Sequence, residues 1–261
     1  MRARQVGDGD PPALEEEAAA IGAAASAVGV RLEPEAARAM AVHARLVRAA
    51  PFNLTSIVEP SAMHVLHVAD SLAPLAVWPE VVRTDGPALD LGAGAGYPGL
   101  PLALAGAARA VTLLEATRKK AEFLAEAARR CGAPARAVWV RAEQASGSVG
   151  PQARVWVRAV GPLPVVVELA FGLLAPGGVV VAWKGPGAEG GEAAAGEAAC
   201  RALGGDYLGR RAYSLPGGAG ERALYAYRRG EGPLPAGVPR NPAAIRRRPL
   251  GRAAGDGFVD G

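Results

Sequence analysis

The chain has 261 residues, half of them apolar and 21 % charged, with a mean hydropathy of +0.13; that is enough to bury one large core with a small satellite, and it excludes a disordered polyelectrolyte. No run approaches the roughly 20 apolar residues of a membrane span, the acidic Glu15-Glu16-Glu17 ahead of the Ala-rich stretch is the wrong flank for a secretory leader, and Cys131 and Cys200 stand alone as expected buried thiols, so a cytoplasmic protein with neither a disulfide framework nor a metal site is expected. The net charge of +4 has a location: from Arg228 onward seven arginines face only Glu231, Asp256 and Asp260, which leaves residues 1–227 neutral and suits a cationic arm for a polyanion such as nucleic acid.

Residues 1–12 read as an unstructured start ending in Pro11-Pro12. Helical spacing of Leu14, Ala18, Ile21, Ala25 and Val28 predicts a first helix stopped at Gly29. Pro34 opens a second, whose Ala37, Met40, Ala44 and Val47 share a face before Pro51. A third helical stretch from about Pro60 carries His64, His67 and Asp70, and the spacing of His67 and Asp70 predicts an ion pair that holds these helices to the sheet. Residues 1–85 are thus expected as an N-terminal helical cap. From Pro87 the pattern changes. Strands predicted at 88–91, 111–115, 137–140, 155–160 and 179–183 alternate with helical intervals, one of which turns Phe123, Leu124, Ala127, Ala128 and Cys131 inward. Such alternation predicts an α/β fold over residues 86–230, a doubly wound and mostly parallel sheet. Two last strands, 207–213 and 223–227, flank Pro216-Gly217-Gly218 as an antiparallel hairpin and make seven. Residues 231–261, rich in Pro, Arg and Gly, are expected as an extended basic tail.

The sharpest chemical signal is Leu89-Asp90-Leu91-Gly92-Ala93-Gly94-Ala95-Gly96-Tyr97-Pro98-Gly99. Glycines at alternate positions directly after a strand let the backbone turn tightly and approach a ligand. The helix after the loop offers unpaired amides, with Pro98 near its start, at the edge where doubly wound sheets bind nucleotides. Two ligands compete. Gly94, Gly96 and Gly99 spell the GxGxxG dinucleotide pattern, with Glu115 at the distance of a ribose carboxylate, as in a nicotinamide-dependent oxidoreductase. Asp90-x-Gly92-x-Gly94-x-Gly96 instead spells the S-adenosylmethionine loop of class I (Rossmann-like) methyltransferases, and the terminal hairpin favours this second reading. Absences narrow the acceptor. The only Pro-Pro is Pro11-Pro12, so the Pro-Pro-aromatic motif of exocyclic amine methylation is missing, and neither cysteine is placed as a nucleophile for pyrimidine C5. There remains room for an acceptor that is already nucleophilic, such as guanine N7, which needs approach geometry and a polarised pocket but no general base.

Several motifs stand in order: Asn53-Leu54-Thr55, His67 with Asp70-Ser71-Leu72, the glycine loop through Pro101, Ala116-Thr117-Arg118-Lys119-Lys120 with Phe123-Leu124, Arg141-Ala142-Glu143, Arg158-Ala159-Val160, Lys184-Gly185 and the Pro/Arg tail. With these the chain resembles, over roughly residues 30–250, the bacterial 16S rRNA guanine-N7 methyltransferases, the glucose-inhibited division protein B family. The resemblance implies S-adenosyl-L-methionine as cofactor and a loop guanine of 16S rRNA, free or in the small ribosomal subunit, as acceptor. A monomer is expected, with no catalytic base, no metal and no membrane. It implies that Gly92, Gly94 and Gly96 cradle the methionine moiety with Tyr97 beside it. Glu115, Ala116 and Thr117 would serve the ribose, Ala142 and Glu143 the adenine, and Arg158 the guanine or the cofactor carboxylate. Lys119, Lys120 and the Arg246-Arg247-Arg248 cluster are expected RNA contacts, as cations that supply salt-sensitive affinity. With no clear aromatic stacking surface in the sequence, a folded RNA loop read by shape is expected over broad single-strand binding. A cofactor-binding ribosome-assembly module without turnover is a further alternative. Val157 stands where the family usually has Ser, Ala223 where it has His, and the tail lacks its Pro-Gly pair.

Overall fold

A computed structural model describes residues 11–251; the start expected at residues 1–10 and the stretch 252–261 lie outside the described residues. Pro11 and Pro12 open helix α1 (Pro11–Ala27) rather than ending a leader, because a proline in the first helical turn gives up an N–H that has no partner anyway. Leu14, Ala18, Ile21 and Ala25 are buried on α1, and Ala37, Met40, Ala44 and Val47 on α2 (Pro34–Ala49), as their spacing predicts. The third stretch is broken into α3 (Pro60–Met63), a π turn (His64–Ala69), α4 (Asp70–Leu72), α5 (Pro74–Val77) and α6 (Pro79–Val82), with Pro74 and Pro79 each starting a new segment.

Seven strands come next, β1 (Ala88–Leu91), β2 (Val111–Glu115), β3 (Ala135–Trp139), β4 (Gln152–Arg158), β5 (Leu174–Lys184), β6 (Asp206–Ser214) and β7 (Glu221–Arg228), in the order β3-β2-β1-β4-β5-β7-β6. The first five are parallel, and β7 runs antiparallel between β5 and β6. This is the class I methyltransferase arrangement. Two of the differences from the expected strand bounds have local causes. β4 stops at Arg158 because Ala159 takes a φ of 59°, which no strand can continue. β5 starts at Leu174, running through Pro176-Gly177-Gly178, which reads as a turn in sequence.

Side chains alternate across the sheet into two cores. Helices α7 (Gly99–Leu104) and α8 (Arg118–Cys131) share one face with the cap, where Met40, Leu72, Leu100, Leu124 and Trp156 are buried. Helices α9 (Leu163–Phe171) and α10 (Gly191–Ala202) cover the other, with Leu89, Val155, Phe171 and Tyr227. The cap is fastened by buried indoles: Trp156 Nε1 donates to Val82 O at 3.2 Å and Trp183 Nε1 to Asp70 O at 3.0 Å. The stretch after residue 230 corrects the expectation of an extended tail. It contains helix α11 (Pro242–Arg247), whose Ile245 is fully buried, and Arg240 clasps the buried carboxylate of Glu168 on α9. A Pro/Arg-rich composition conceals these apolar anchors, Ile245 and, packed on the same core, Leu234, Val238 and Leu250.

Candidate active site

Where β1 ends the chain folds back, with the amides of Gly92 and Ala93 both donating to Leu114 O at 2.9 Å. This is the point at which strand order reverses between β1 and β4, the usual place for a ligand in an open α/β sheet. Gly92, Gly94 and Gly96 have φ of +74°, +57° and +97°, a region costly to side-chain-bearing residues. Their surroundings differ. A Cβ at Gly92 would meet Val160 Cγ2 at 2.8 Å and one at Gly96 would meet Leu100 Cδ1 at 2.7 Å, whereas one at Gly94 meets only Gly92 O at 3.8 Å. Open space therefore borders Gly94. Glu115, buried at the end of β2, turns its carboxylate to the same spot and accepts from the Gly94 amide at 3.0 Å and the Thr117 amide at 2.8 Å.

The loop is gripped from below and outside. Asp90 Oδ2 accepts from the Gly99 amide at 2.7 Å, Oδ1 has no partner among the described residues, and burial pushes this carboxyl up to about 7. Gly99 has to be glycine, since a Cβ there would lie 2.6 Å from Asp90 Oδ2. His43 of α2 donates through Nε2 to Ala95 O at 2.7 Å, and complete burial lowers its pKa to about 4. The amides of residues 92, 93, 94, 96 and 99 are thus all bonded within the protein, and an acid sits at the start of α7. A diphosphate needs free amides and no acid there. A cationic nucleoside with a diol needs a carboxylate and an open glycine edge, which these residues supply.

Beside the loop lies a cleft of about 510 Å³, lined among others by Ile57, His67, Asp70, Arg158, Lys184 and Arg222. Arg158, the last residue of β4, is its hub: Nη1 donates to Leu66 O at 3.0 Å and Asp70 Oδ2 at 2.9 Å, and Nη2 to His67 Nδ1 at 3.1 Å. Because Nδ1 accepts, Nε2 of His67 carries the ring proton and donates to Thr55 Oγ1 at 2.9 Å, which also accepts from the Ile57 amide. Burial, and then the Arg158 charge, lower the His67 pKa to about 3. The expected His67–Asp70 ion pair is therefore corrected: His67 is neutral, and both residues close on Arg158 from the π turn and the helix after it. Tyr213 donates to Asp70 Oδ1 at 2.7 Å, and the ring of Tyr97 is stacked on His67 at 4.6 Å and 14°. Ala159 is the one non-glycine residue with positive φ among the described residues, and backbone strain of this kind concentrates at functional sites.

The structure brings Gly94 against Glu115, with Ala116 and Thr117 exposed on the rim, while Tyr97 is buried on the cap side between His43, His67 and Arg158. The Val140 amide donates to Glu115 O, which holds the end of β3 level with β2. From there Ala142 and Glu143 begin a half-buried 3₁₀ turn, with Glu143 paired to Arg141 at 2.9 Å. Arg158 faces the cleft and gives its terminal nitrogens to the cap. Lys119 and Lys120 lie in the first turn of α8. Lys184 Nζ reaches Gly161 O and Glu192, both at 2.6 Å, and Arg246 Nη2 lies 3.5 Å from where a Cβ on Gly161 would be. Arg246 thus stands by this loop, while Arg247 and Arg248 are exposed. Cys131 and Cys200 are buried. Sequence reasoning missed His43, Tyr213 and Arg222 and gave Thr55 no role beyond its motif. His43 left one signal, a histidine beside the apolar stripe of α2; Tyr213 and Arg222 come from the distant hairpin and left none. Among the described residues no three His, Cys, Asp or Glu side chains group as metal ligands, and no helix is long and apolar enough to cross a membrane.

A family model described as rRNA small subunit methyltransferase G matches residues 43–208. A protein of Symbiobacterium thermophilum named ribosomal RNA small subunit methyltransferase G is 34 % identical, with 86 % of this chain and 94 % of its own length covered. Namesakes from Pelotomaculum thermopropionicum and Deinococcus radiodurans are each 37 % identical over 76 % of this chain, and over 83 % and 78 % of their own.

Proposed function

The chain belongs to the rRNA small subunit methyltransferase G family, and from that premise we propose that it transfers the methyl group of S-adenosylmethionine to N7 of a loop guanine in 16S rRNA. The observation that carries the cofactor half is the Glu115 carboxylate, buried beside the one loop glycine that borders open space. In this reading Gly92, Gly94 and Gly96 line the methionine moiety with Tyr97 beside it, Glu115 with Ala116 and Thr117 takes the ribose hydroxyls, and Ala142 and Glu143 reach the adenine. The bound cofactor supplies a methyl group on a sulfonium, an electrophile for the N7 lone pair.

Guanine N7 loses no proton when it is methylated, so the chain contributes position and exclusion of water. Arg158 is held rigid by Leu66, His67 and Asp70, with N–H donors to spare, and serves to orient the guanine. Lys184 and Arg222 share its cleft and suit the flanking phosphates, together with Lys119, Lys120 and Arg246-Arg247-Arg248. The nicotinamide reading is not favoured, because Asp90 sits at the start of α7 and the amides of residues 92, 93, 94, 96 and 99 already have partners within the protein. As proposed, the protein works in the cytoplasm on the small subunit or its RNA, as a monomer, since one chain supplies both sides of the crevice.

Calorimetry is expected to show S-adenosylmethionine or its demethylated product binding, and NAD not. Incubation with cofactor and unmodified small subunits or 16S rRNA should create a new N7-methylguanine, mapped by chemical strand scission. Gly94→Asp, which sets a second carboxylate against Glu115, should abolish both. Binding of NAD would overturn the cofactor assignment, and cofactor binding without any methylated guanine would leave the assembly role instead.

A further inference from the structure

Three of the four tryptophans, Trp78, Trp156 and Trp183, are buried, while Trp139 is 58 % exposed. It is not a loose side chain. Its Nε1 donates to Ala116 O at 3.1 Å, and as the last residue of β3 it pairs in register with Glu115, at the strand edge that carries the crevice. The Arg118 guanidinium lies 5.5 Å from the ring centre, and one residue on, the Lys119 ammonium lies 5.0 Å above the ring of Phe52. Two carboxylates are close by: Glu122 pairs with Arg118 at 2.8 Å and Glu143 with Arg141 at 2.9 Å. Lys119 and Lys120 have no carboxylate partner among the described residues, so the patch keeps a positive excess.

We propose that the indole of Trp139, with Arg118 against it and Lys119 and Lys120 next along the first turn of α8, is a stacking platform for an unpaired base of the RNA that carries the target guanine. Sites for single-stranded nucleic acid pair aromatic rings with cations in this way, because every base has a π-face and every link a phosphate. The cofactor's adenine fits the patch less well: S-adenosylmethionine is itself a net cation, which Arg118 and the lysines repel. The platform rests on the rRNA methyltransferase reading, deepens its substrate side, and adds a stacking surface where none was clear in the sequence.

The test uses the full-length protein with a short unstructured oligoribonucleotide and the same strand made abasic. With the other three indoles buried, the strand with bases should quench tryptophan emission and the abasic strand should not. Trp139→Ala should weaken binding of the base-bearing strand roughly 5- to 100-fold while leaving the salt dependence and the S-adenosylmethionine affinity as they are. Trp139→Phe should keep most of the affinity. Lys119→Gln with Lys120→Gln should lower the salt slope by about 0.7 for each phosphate no longer neutralised. Equal quenching by the abasic strand, or unchanged RNA affinity in Trp139→Ala, would overturn the platform. A loss of cofactor affinity in that variant would do so too, by making the indole a wall of the cofactor crevice. A wild-type protein that binds no S-adenosylmethionine would instead defeat the functional reading, which the stacking measurement does not touch.

Discussion

Asp90 lies under the glycine loop with one oxygen on the Gly99 amide and the other unpartnered, and burial raises its pKa from 3.8 to about 7. The native state therefore holds a proton that the unfolded chain has already lost across that window. Its contribution to stability is full below 3.8 and declines as pH rises toward 7. His43 and His67 act with the opposite sign: burial lowers them from 6.5 to about 4 and about 3, so their contribution is complete above 6.5 and is lost as pH falls toward those values. Replacing Asp90 by Asn removes only the first dependence. Urea unfolding at several pH values from about 4.5 to 7.5 should show wild type losing stability relative to Asp90→Asn as pH rises; a difference that stays constant with pH would contradict the protonated carboxyl. The sequence showed the glycine spacing, Asp90 and Glu115, because a loop that closes on itself within about 25 residues leaves a local signature. It could not show the partners of Arg158. Those come from a π turn and the start of the helix after it, some ninety positions earlier, which the three-residue spacing of His67 and Asp70 disguised as an ion pair.

At the scale of elements, helices α1 and α2 and strands β1 and β2 were legible because each has one periodicity and a clear stop. The C-terminal strap was not, although the fold anchors it firmly. The Arg240 amide and Nε both donate to Glu168 Oε1, at 2.9 and 2.8 Å, and Nη2 donates to Oε2 at 2.6 Å, on a glutamate with no exposure at all. Asn241 then caps α11 by accepting from the Ala244 amide at 2.9 Å, and Ile245 drops into the core beside α9. A carboxylate this deep needs its cation: removing one partner of a buried pair costs about 3–5 kcal/mol, whereas removing both often costs much less. Arg240→Met is therefore expected to lower the urea-unfolding free energy by about that amount, and Arg240→Met with Glu168→Leu to recover most of it. A loss below about 1 kcal/mol in the single variant would place the pair among exposed ion pairs of little worth, and the strap would then hold by its apolar contacts, Ile245 first among them.

Over the whole molecule, that anchor changes what the charge asymmetry means. A free cationic arm would lend salt-sensitive affinity to any RNA, wherever it touched. A strap pinned at Arg240 and Ile245 instead fixes Arg246 beside Gly161, whose carbonyl accepts from Lys184, itself a residue of the cleft that holds Arg158. The tail's cations then extend one rigid surface, and a rigid surface selects a folded RNA by shape. Deleting residues 231–261 cannot test this, because it also strips Ile245 from the core and leaves Glu168 without its cation. Converting Arg246, Arg247 and Arg248 to Gln can, since all three are exposed at the surface. The triple variant should keep its thermal midpoint and its S-adenosylmethionine affinity. Its affinity for 16S rRNA should fall, and the slope of log K against log salt should flatten by about 0.7–0.9 for each phosphate left without a cation. An unaltered slope would mean that the strap is anchored for stability alone and that the RNA meets the protein only at the cleft. A flattened slope joined to a lower thermal midpoint would mean that these arginines also hold α11 in place, and the electrostatic share would then have to be measured at temperatures well below the transition.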